Sequence, residues 1–94
     1  MTIRKSIRFD DELQTISLFI ALDNPSRALK FLDDITSKIE DIPHNPFSHR
    51  SRKSSKDKYT RELIFKGYTV PYYIDIEKDK IIILGIFNQN EWKN

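Results

Sequence analysis

Hydrophobic and polar positions alternate with period two near both ends of this chain and repeat with helical spacing in between. Three apolar runs follow residue 58, separated by the turns Lys66-Gly67 and Glu77–Lys80, and predict an antiparallel meander. The last run, Ile81–Phe87, is apolar at nearly every position, which predicts an inner strand covered on both faces. Residues 2–9 alternate loosely and predict a further strand paired with Ile81–Phe87. Because Pro71 lacks an N–H, we expect a bulge or an unpaired point beside it.

Two helices are predicted between these strands. Asp10 and Asp11 are expected to cap the first helix, since carboxylates accept from its free N–H groups. Its apolar positions form a wide face, which predicts burial on more than one side: Leu13, Ile16, Leu18, Phe19, Ile20, Ala21 and Leu22. Asn24-Pro25 should begin the second helix, and Pro43 should end it. The stripe expected to be buried on this helix is Ala28, Phe31, Leu32, Ile35, Ile39 and Ile42.

This order of elements predicts one α+β domain spanning residues 1–94. The N-terminal strand and the three-stranded antiparallel meander form the sheet, and the helices form an antiparallel hairpin on it. The chain has no cysteine and only two histidines, so we expect no disulfide, metal or cofactor. It shows neither a signal peptide nor an apolar stretch long enough to cross a bilayer, so we expect a cytoplasmic protein with no membrane partner.

Basic residues are concentrated in one irregular segment, His44–Lys58, although the net charge of the chain is only +2. They are Arg50, Arg52, Lys53, Lys56 and Lys58. Loops of this length are usually functional or disordered, and a basic patch suits an anionic partner. The alternative is a solvated loop that binds nothing, since aromatic residues flank this segment without interleaving with its cations.

The chain resembles the RelE/ParE superfamily of toxins from type II toxin–antitoxin systems over nearly its whole length. Two of the segments that carry the resemblance lie at the ends of the second helix. They are Asn24-Pro25-Ser26-Arg27-Ala28 at its start and Ile39-Glu40-Asp41-Ile42-Pro43-His44-Asn45-Pro46 at its end. The other segments lie in the meander: Arg61-Glu62-Leu63, Gly67-Tyr68 with Tyr73, and Ile82-Ile83-Leu84-Gly85-Ile86-Phe87. The long second helix and its proline stop look more like the ParE-like, plasmid-stabilisation members.

The resemblance implies one of two activities, because the superfamily supports both on the same fold. RelE-like members cleave messenger RNA on the ribosome with basic side chains, whereas ParE-like members inhibit DNA gyrase and are not nucleases. The nuclease positions correspond here to Thr60, Glu62 and Thr69, none of which is a cation, so we favour a ParE-like growth inhibitor. This preference requires that no cavity brings guanidinium and ammonium groups together with an imidazole. A non-toxic relative kept for binding or repression is a third interpretation.

Few individual residues are singled out by this reasoning. If the chain is a ribonuclease, Arg61, Lys66 and His49 are the catalytic candidates; otherwise no catalytic residue is expected. The partner-binding candidates are Arg50, Arg52, Lys53, Lys56, Lys58, Arg61 and Trp92. Arg61 has a structural alternative, an ion pair with Asp33 or Asp34 on the second helix. Trp92 either marks an interface or folds back on the sheet.

The resemblance also implies partners. A cognate antitoxin is expected to lay an extended or helical segment across the chain, giving a toxin–antitoxin hetero-oligomer. DNA gyrase is the expected target, with the outer face of the helical hairpin and the C-terminal tail as contact surfaces. The ribosome with its message is the alternative target.

Overall fold

The computed structural model describes residues 1–52 and 57–88, and the candidates Lys53, Lys56 and Trp92 lie outside these ranges. The helices are α1 (Ile7–Asp23) and α2 (Pro25–Asp41), and a 3₁₀ turn, Ile42–His44, follows α2. The strands are β1 (Thr2–Lys5), β2 (Arg50–Ser51), β3 (Thr60–Phe65), β4 (Tyr68–Asp75), β5 (Lys80–Ile83) and β6 (Phe87–Asn88). No helix within the described ranges is long and apolar enough to span a membrane.

The strands form one mixed sheet in the order β1-β5-β4-β3-β2, and β6 also pairs with β4. β1 runs parallel to β5, and the pairs β4–β5, β3–β4 and β2–β3 are antiparallel. The predicted α+β fold and the pairing of the N-terminal strand with the last apolar run are therefore confirmed. β2 is an additional strand, formed inside the segment that the sequence predicts to be irregular.

The helices cover one face of the sheet, and the core lies between the two layers. The buried side chains that form it are Phe9, Phe31, Ile35, Ile39, Ile42, Leu63, Val70, Tyr72, Ile74, Ile81, Ile83 and Ile86. Ile81 and Ile83 are fully buried, whereas Ile82 on the opposite face of β5 keeps partial exposure. The expectation that this strand is covered on both faces holds only for the face of Ile81 and Ile83, because both helices pack on that side.

The first helix begins earlier than the sequence suggests. Ser6, and not Asp10 or Asp11, is its N-cap, and the Ser6 Oγ accepts from the Phe9 N–H at 3.0 Å. The predicted strand 2–9 therefore ends at Lys5, and Phe9 points into the core with 1% of its surface exposed. The helix begins this early because the Ser6 hydroxyl also donates to the Leu84 carbonyl at 3.0 Å. This bond fixes the turn between β1 and α1 against the sheet.

The second helix follows its predicted signals. Asn24 is the N-cap, its Oδ1 accepts from the Arg27 N–H at 3.1 Å, and Pro25 occupies the first helical position. The helix ends at Asp41, where the chain tightens into the 3₁₀ turn that contains Pro43. Five members of the predicted stripe are buried, and Leu32 is half-buried.

An apolar face of α1 remains in contact with solvent. Leu18, Phe19 and Leu22 are 60%, 74% and 87% exposed, whereas Leu13, Ile16 and Ile20 pack against the core. The predicted burial of α1 on more than one side is therefore wrong, because the single sheet and α2 cover only one side of it. On the adjoining helix, Leu29 is 67% exposed and adds to the apolar surface of the hairpin.

Pro71 causes a bulge in the neighbouring strand, as predicted. Between the pairs Tyr72–Ile83 and Thr69–Phe87, three residues of one strand face two residues of the other. The Leu84 N–H donates to the Pro71 carbonyl at 2.9 Å, so the proline keeps its acceptor in the ladder. The bulge also divides the predicted strand Ile81–Phe87 into β5 and β6.

A carboxylate from α1 compensates for the bulge. The Ile86 N–H donates to the Glu12 Oε1 at 3.0 Å instead of to a strand. Gly85 permits this approach, because a Cβ at that position would lie 2.5 Å from the same oxygen. The φ angle of Gly85 is outside the left-handed region, so an added Cβ would conflict with the Glu12 carboxylate and not with the backbone conformation.

This contact predicts strong coupling between Gly85→Ala and Glu12→Ala. Each single variant should lower the free energy of unfolding by about 1–3 kcal/mol, because Glu12→Ala removes the acceptor of the Ile86 N–H and Gly85→Ala displaces it. The double variant should lose little more than Glu12→Ala alone, since the added methyl group then meets no carboxylate. Urea denaturation of the four proteins measures the cycle. Additive losses would show that Gly85 is needed for another reason.

Candidate functional site

The segment that follows α2 is attached to the sheet through a backbone carbonyl. Tyr72 is fully buried on β4, and its hydroxyl donates to the Pro46 carbonyl at 2.6 Å. Burial raises the pKa of Tyr72 to about 12, and the nearby Arg61 opposes this only in part, so the hydroxyl remains a donor at neutral pH. The start of the basic segment is thus held in a defined position.

Arg61 attaches the same segment at further points. Its guanidinium donates to the carbonyls of Lys58 at 2.8 Å, His49 at 3.0 Å and Phe47 at 3.4 Å. It also lies 5.2 Å from the centre of the Phe47 ring. The guanidinium is directed to these carbonyls and not to Asp33 or Asp34, the ion-pair partners that the sequence suggests. Asp34 pairs with Lys30 and Lys66. Arg61 therefore acts on the loop and not on the helix.

Glu62 holds two of the basic residues. Its side chain is 7% exposed, and it accepts from Arg50 Nε at 2.8 Å and from Arg52 Nη1 at 3.2 Å. The Arg52 guanidinium also lies 5.3 Å from the centre of the Phe87 ring. Two cations around one carboxylate leave net positive charge, so Glu62 does not repel an anion as its sequence position suggests. Lys58 lies apart, with its ammonium 5.4 Å from the centre of the Tyr59 ring.

The positions that carry cations in RelE-like nucleases have other contacts here. The Thr60 hydroxyl contacts both oxygens of the Asp57 carboxylate, at 3.2 and 3.1 Å. Thr69 is 1% exposed and Glu62 is 6% exposed. The residue types at these positions thus remain the reason to disfavour a nuclease there.

An open cleft of about 550 Å³ lies between the end of α2 and the edge of β3. Its charged and titratable lining residues are Lys38, Asp41, His49, Arg50, Glu62 and Lys66. The sequence predicts roles for His49 and Lys66, and the fold brings both to this cleft; Arg61 does not line it. Lys38 was missed, because nothing in its helical spacing distinguishes it from a solvated surface lysine. His44 lies outside the lining, with its Nδ1 3.3 Å from Asp41 Oδ1.

His49 is partly buried beside the cleft. Its ring packs at 90° to the Tyr72 ring, with centroids 5.9 Å apart. Burial lowers the pKa of His49 from 6.5; Asp41 acts in the opposite direction, and Lys38 lowers the pKa further. The imidazole is therefore neutral at neutral pH and can accept a proton. The cleft therefore brings this imidazole together with one guanidinium and two ammonium groups. The expectation that no such cavity exists is wrong, so the preference for gyrase inhibition loses that support.

Solved structures with the same fold place this architecture in a known class. The chromosomal ParDE toxin–antitoxin system from P. aeruginosa contains a chain that is 21% identical, with a TM-score of 0.74 and coverage of 94% of this chain and 95% of that one. The RelBE toxin–antitoxin complex from Mycobacterium tuberculosis gives 18% identity, a TM-score of 0.63 and coverage of 94% and 96%. A conserved hypothetical protein from Helicobacter pylori gives 17% identity, a TM-score of 0.53 and 97% coverage of both chains.

The fold is thus the one shared by ParE-like and RelE-like chains. The family model for the ParE toxin of type II toxin–antitoxin systems, parDE, matches residues 3–91, and the chain belongs to this family. No curated protein sequence gives a significant match. The predicted resemblance is confirmed.

The partial burial of His49 predicts a pH dependence of stability. Because its folded pKa is below the 6.5 of the unfolded chain, the unfolded state binds the proton first as the pH falls. The free energy of unfolding should therefore decrease below about pH 6.5 and level off below the folded pKa. Urea denaturation across pH 4.5–7.5 measures this effect, and His49→Gln should remove its share of it. The control His44→Gln should retain that share; if it is lost there instead, the assignment to His49 is wrong.

Proposed function

We propose that this chain is the toxin of a type II toxin–antitoxin pair, that it inhibits DNA gyrase, and that a cognate antitoxin neutralises it. The observation that carries the proposal is the match of the ParE toxin model to nearly the whole chain. Inhibition by protein contact needs no catalytic constellation, only a surface that fits the target. The non-cationic nuclease positions Thr60, Glu62 and Thr69 favour this mechanism over cleavage.

The exposed face of the helical hairpin is the contact surface that we propose for gyrase. Leu18, Phe19 and Leu22 are accessible along α1, and Leu29 is accessible on α2. Apolar side chains on a solvent-exposed helix give an isolated chain no stability, but their burial against a partner contributes to affinity. Phe19 is the largest of them, and large aromatic side chains supply a disproportionate share of interface energy.

The match to the ParE toxin family also supports the proposed antitoxin. Two of the solved structures that share this fold come from toxin–antitoxin systems, ParDE and RelBE. The basic candidates Arg50, Arg52, Lys53, Lys56, Lys58 and Arg61 remain proposed seats for an acidic antitoxin segment, and Trp92 remains a proposed partner contact. Arg50 and Arg52 already bind Glu62, so a partner would meet guanidiniums that are held in place and not mobile ones.

A supercoiling assay with purified protein tests the target. The chain should block ATP-dependent supercoiling of relaxed plasmid by gyrase, and Phe19→Glu should raise the inhibitory concentration roughly 30-fold, corresponding to a hot spot of about 2 kcal/mol. Gln14→Glu adds the same charge at another exposed position of α1 and should inhibit as the parent does. Full supercoiling at saturating toxin would exclude gyrase. Equal loss in both variants would exclude this face.

Messenger RNA cleavage on the ribosome is the second candidate, and the cleft beside β3 is the observation that favours it. The neutral His49 imidazole could take the proton of a ribose 2′-hydroxyl, and Lys38, Arg50 and Lys66 could stabilise the phosphate charge. The cleft removes one argument for gyrase, which was the expected lack of such a cavity. We still place cleavage second, because the matching family model is that of the ParE toxin and because Glu62 and Asp41 bring two carboxylates to the cleft.

Primer extension on a translated message tests this candidate. If the cleft cleaves RNA, induction of the chain should create new ends within codons. His49→Gln should then reduce their yield by about 100-fold or more, because a general base contributes at least that factor. His44→Gln, outside the cleft lining, should leave the yield unchanged. Intact message after induction would exclude ribonuclease activity.

A further inference from the structure

One edge of β3 lies open along the cleft. β2 pairs only with Arg61 and Glu62, whereas β4 pairs with β3 along its whole length, from Thr60 to Phe65. Within the described ranges, no strand continues β2 along residues 63–65. The five consecutive residues 62–66 all line the cleft. Because neighbouring residues of a strand point to opposite faces, a cleft lined by all of them must run along the strand edge.

The hydrogen-bond register identifies which backbone groups face the cleft. The Tyr59 carbonyl accepts from the Ile74 N–H of β4, and the Thr60 carbonyl accepts from the Arg52 N–H on the other side. In an antiparallel ladder, alternate residues direct their N–H and C=O groups to the same edge. Thr60, Glu62 and Ile64 therefore face the β2 side, and beyond the end of β2 the N–H and C=O of Ile64 face the cleft.

The side chains around this edge are mainly cationic. Arg50 lies at the β2 end, Lys66 lies at the turn end, and Lys38 lines the cleft from α2. The Glu62 carboxylate is already occupied by Arg50 and Arg52. Asp34 shares its single charge between Lys30 and Lys66, and Asp41 is the other acid of the lining. An anionic segment along the edge would thus meet a cation at each end.

We propose that this edge binds an extended acidic peptide segment, which adds one strand antiparallel or parallel to β3 and pairs with the N–H and C=O of Ile64. A peptide backbone supplies both the acceptor and the donor that this residue needs, whereas a nucleic-acid phosphate supplies only acceptors. Acidic side chains on the added strand pair with Lys38, Arg50 and Lys66. The inference rests on the proposed function only in naming the antitoxin as the source of the segment.

Binding of a synthetic acidic peptide to the ¹⁵N-labelled protein tests this proposal. The probe is acetyl-Glu-Val-Glu-Val-Glu-amide, and the observable is hydrogen exchange of the Ile64 amide. Exchange of this amide should slow by about tenfold or more when the peptide is bound, because a new ladder bond protects it. Acetyl-Lys-Val-Lys-Val-Lys-amide should not protect it, and a short oligouridylate should not either. Protection of Ile64 by neither peptide, or protection by the RNA, would overturn the proposal.

Two variants separate the backbone contribution from the charge contribution. Ile64→Pro removes the N–H that faces the cleft and should weaken the acidic peptide about tenfold or more, since an edge proline leaves the β4 ladder intact. Lys66→Asn removes a cation and suits the positive φ of 48° at this turn position; it should weaken binding about fivefold. Lys78→Asn, an exposed lysine of another turn, is the matched control and should bind as the parent does.

These measurements are independent of the target. If Ile64→Pro does not fold, the charge variants and the two peptides still decide the question. Unchanged affinity in Lys66→Asn would exclude charge recognition at this edge. A protein that inhibits gyrase but gives no Ile64 protection would overturn the peptide site alone. A protein that protects Ile64 but leaves supercoiling intact would overturn the gyrase target alone.

Discussion

The missing amide hydrogen of Pro71 is the constraint on which the arrangement of the two layers depends. A proline in an inner strand removes one ladder donor, and here the adjoining strand bulges at Leu84–Ile86. The bulge frees backbone groups that α1 then binds. Ser6 donates to the Leu84 carbonyl, and Glu12 accepts from the Ile86 N–H. A helix is thereby joined to the sheet by specific hydrogen bonds in addition to apolar packing, which fixes its position along the strands.

At the β3 edge of the sheet, charged side chains hold the loop that follows α2. Arg61 binds backbone carbonyls, and Glu62 binds Arg50 and Arg52. These two neighbouring residues of β3 point to opposite faces, so one strand holds the segment from both sides. The result is a short edge strand, β2, which stops after two residues and leaves the rest of the β3 edge accessible from the cleft.

Much of the fold could be predicted from the sequence, because its signals are local. Asn24-Pro25 and Pro43 mark α2 through capping and proline geometry, and Lys66-Gly67 forms the tight turn with positive φ at both residues. The start of α1 could not be predicted, since Ser6 competes with Asp10 and Asp11 as a cap and only the sheet decides between them. The exposure of Leu18, Phe19 and Leu22 was also hidden, because an apolar pattern does not show how many layers are present to cover it.

The candidate site was less predictable, because its members are far apart in the sequence. His49 and Lys66 could be named from residue type, but Lys38 becomes part of the cleft only through the crossing of α2 over the β3 edge. Nothing in the spacing of Arg61 and Glu62 indicated that Arg61 would bind loop carbonyls or that Glu62 would bind Arg50 and Arg52. Long-range pairing of this kind leaves no periodic signal, so it cannot be deduced from spacing alone.

The way the basic loop is anchored has an evolutionary consequence. Tyr72 and Arg61 bind the carbonyl oxygens of Pro46, Phe47, His49 and Lys58, and every amino acid carries such an oxygen. Side chains at these four anchored positions can therefore diversify while the backbone there keeps its path, whereas Arg50 and Arg52 are tied to the buried Glu62. A lineage could change which partner it recognises by altering the side chains at the four positions, and Tyr72 and Arg61 would need no compensating substitution.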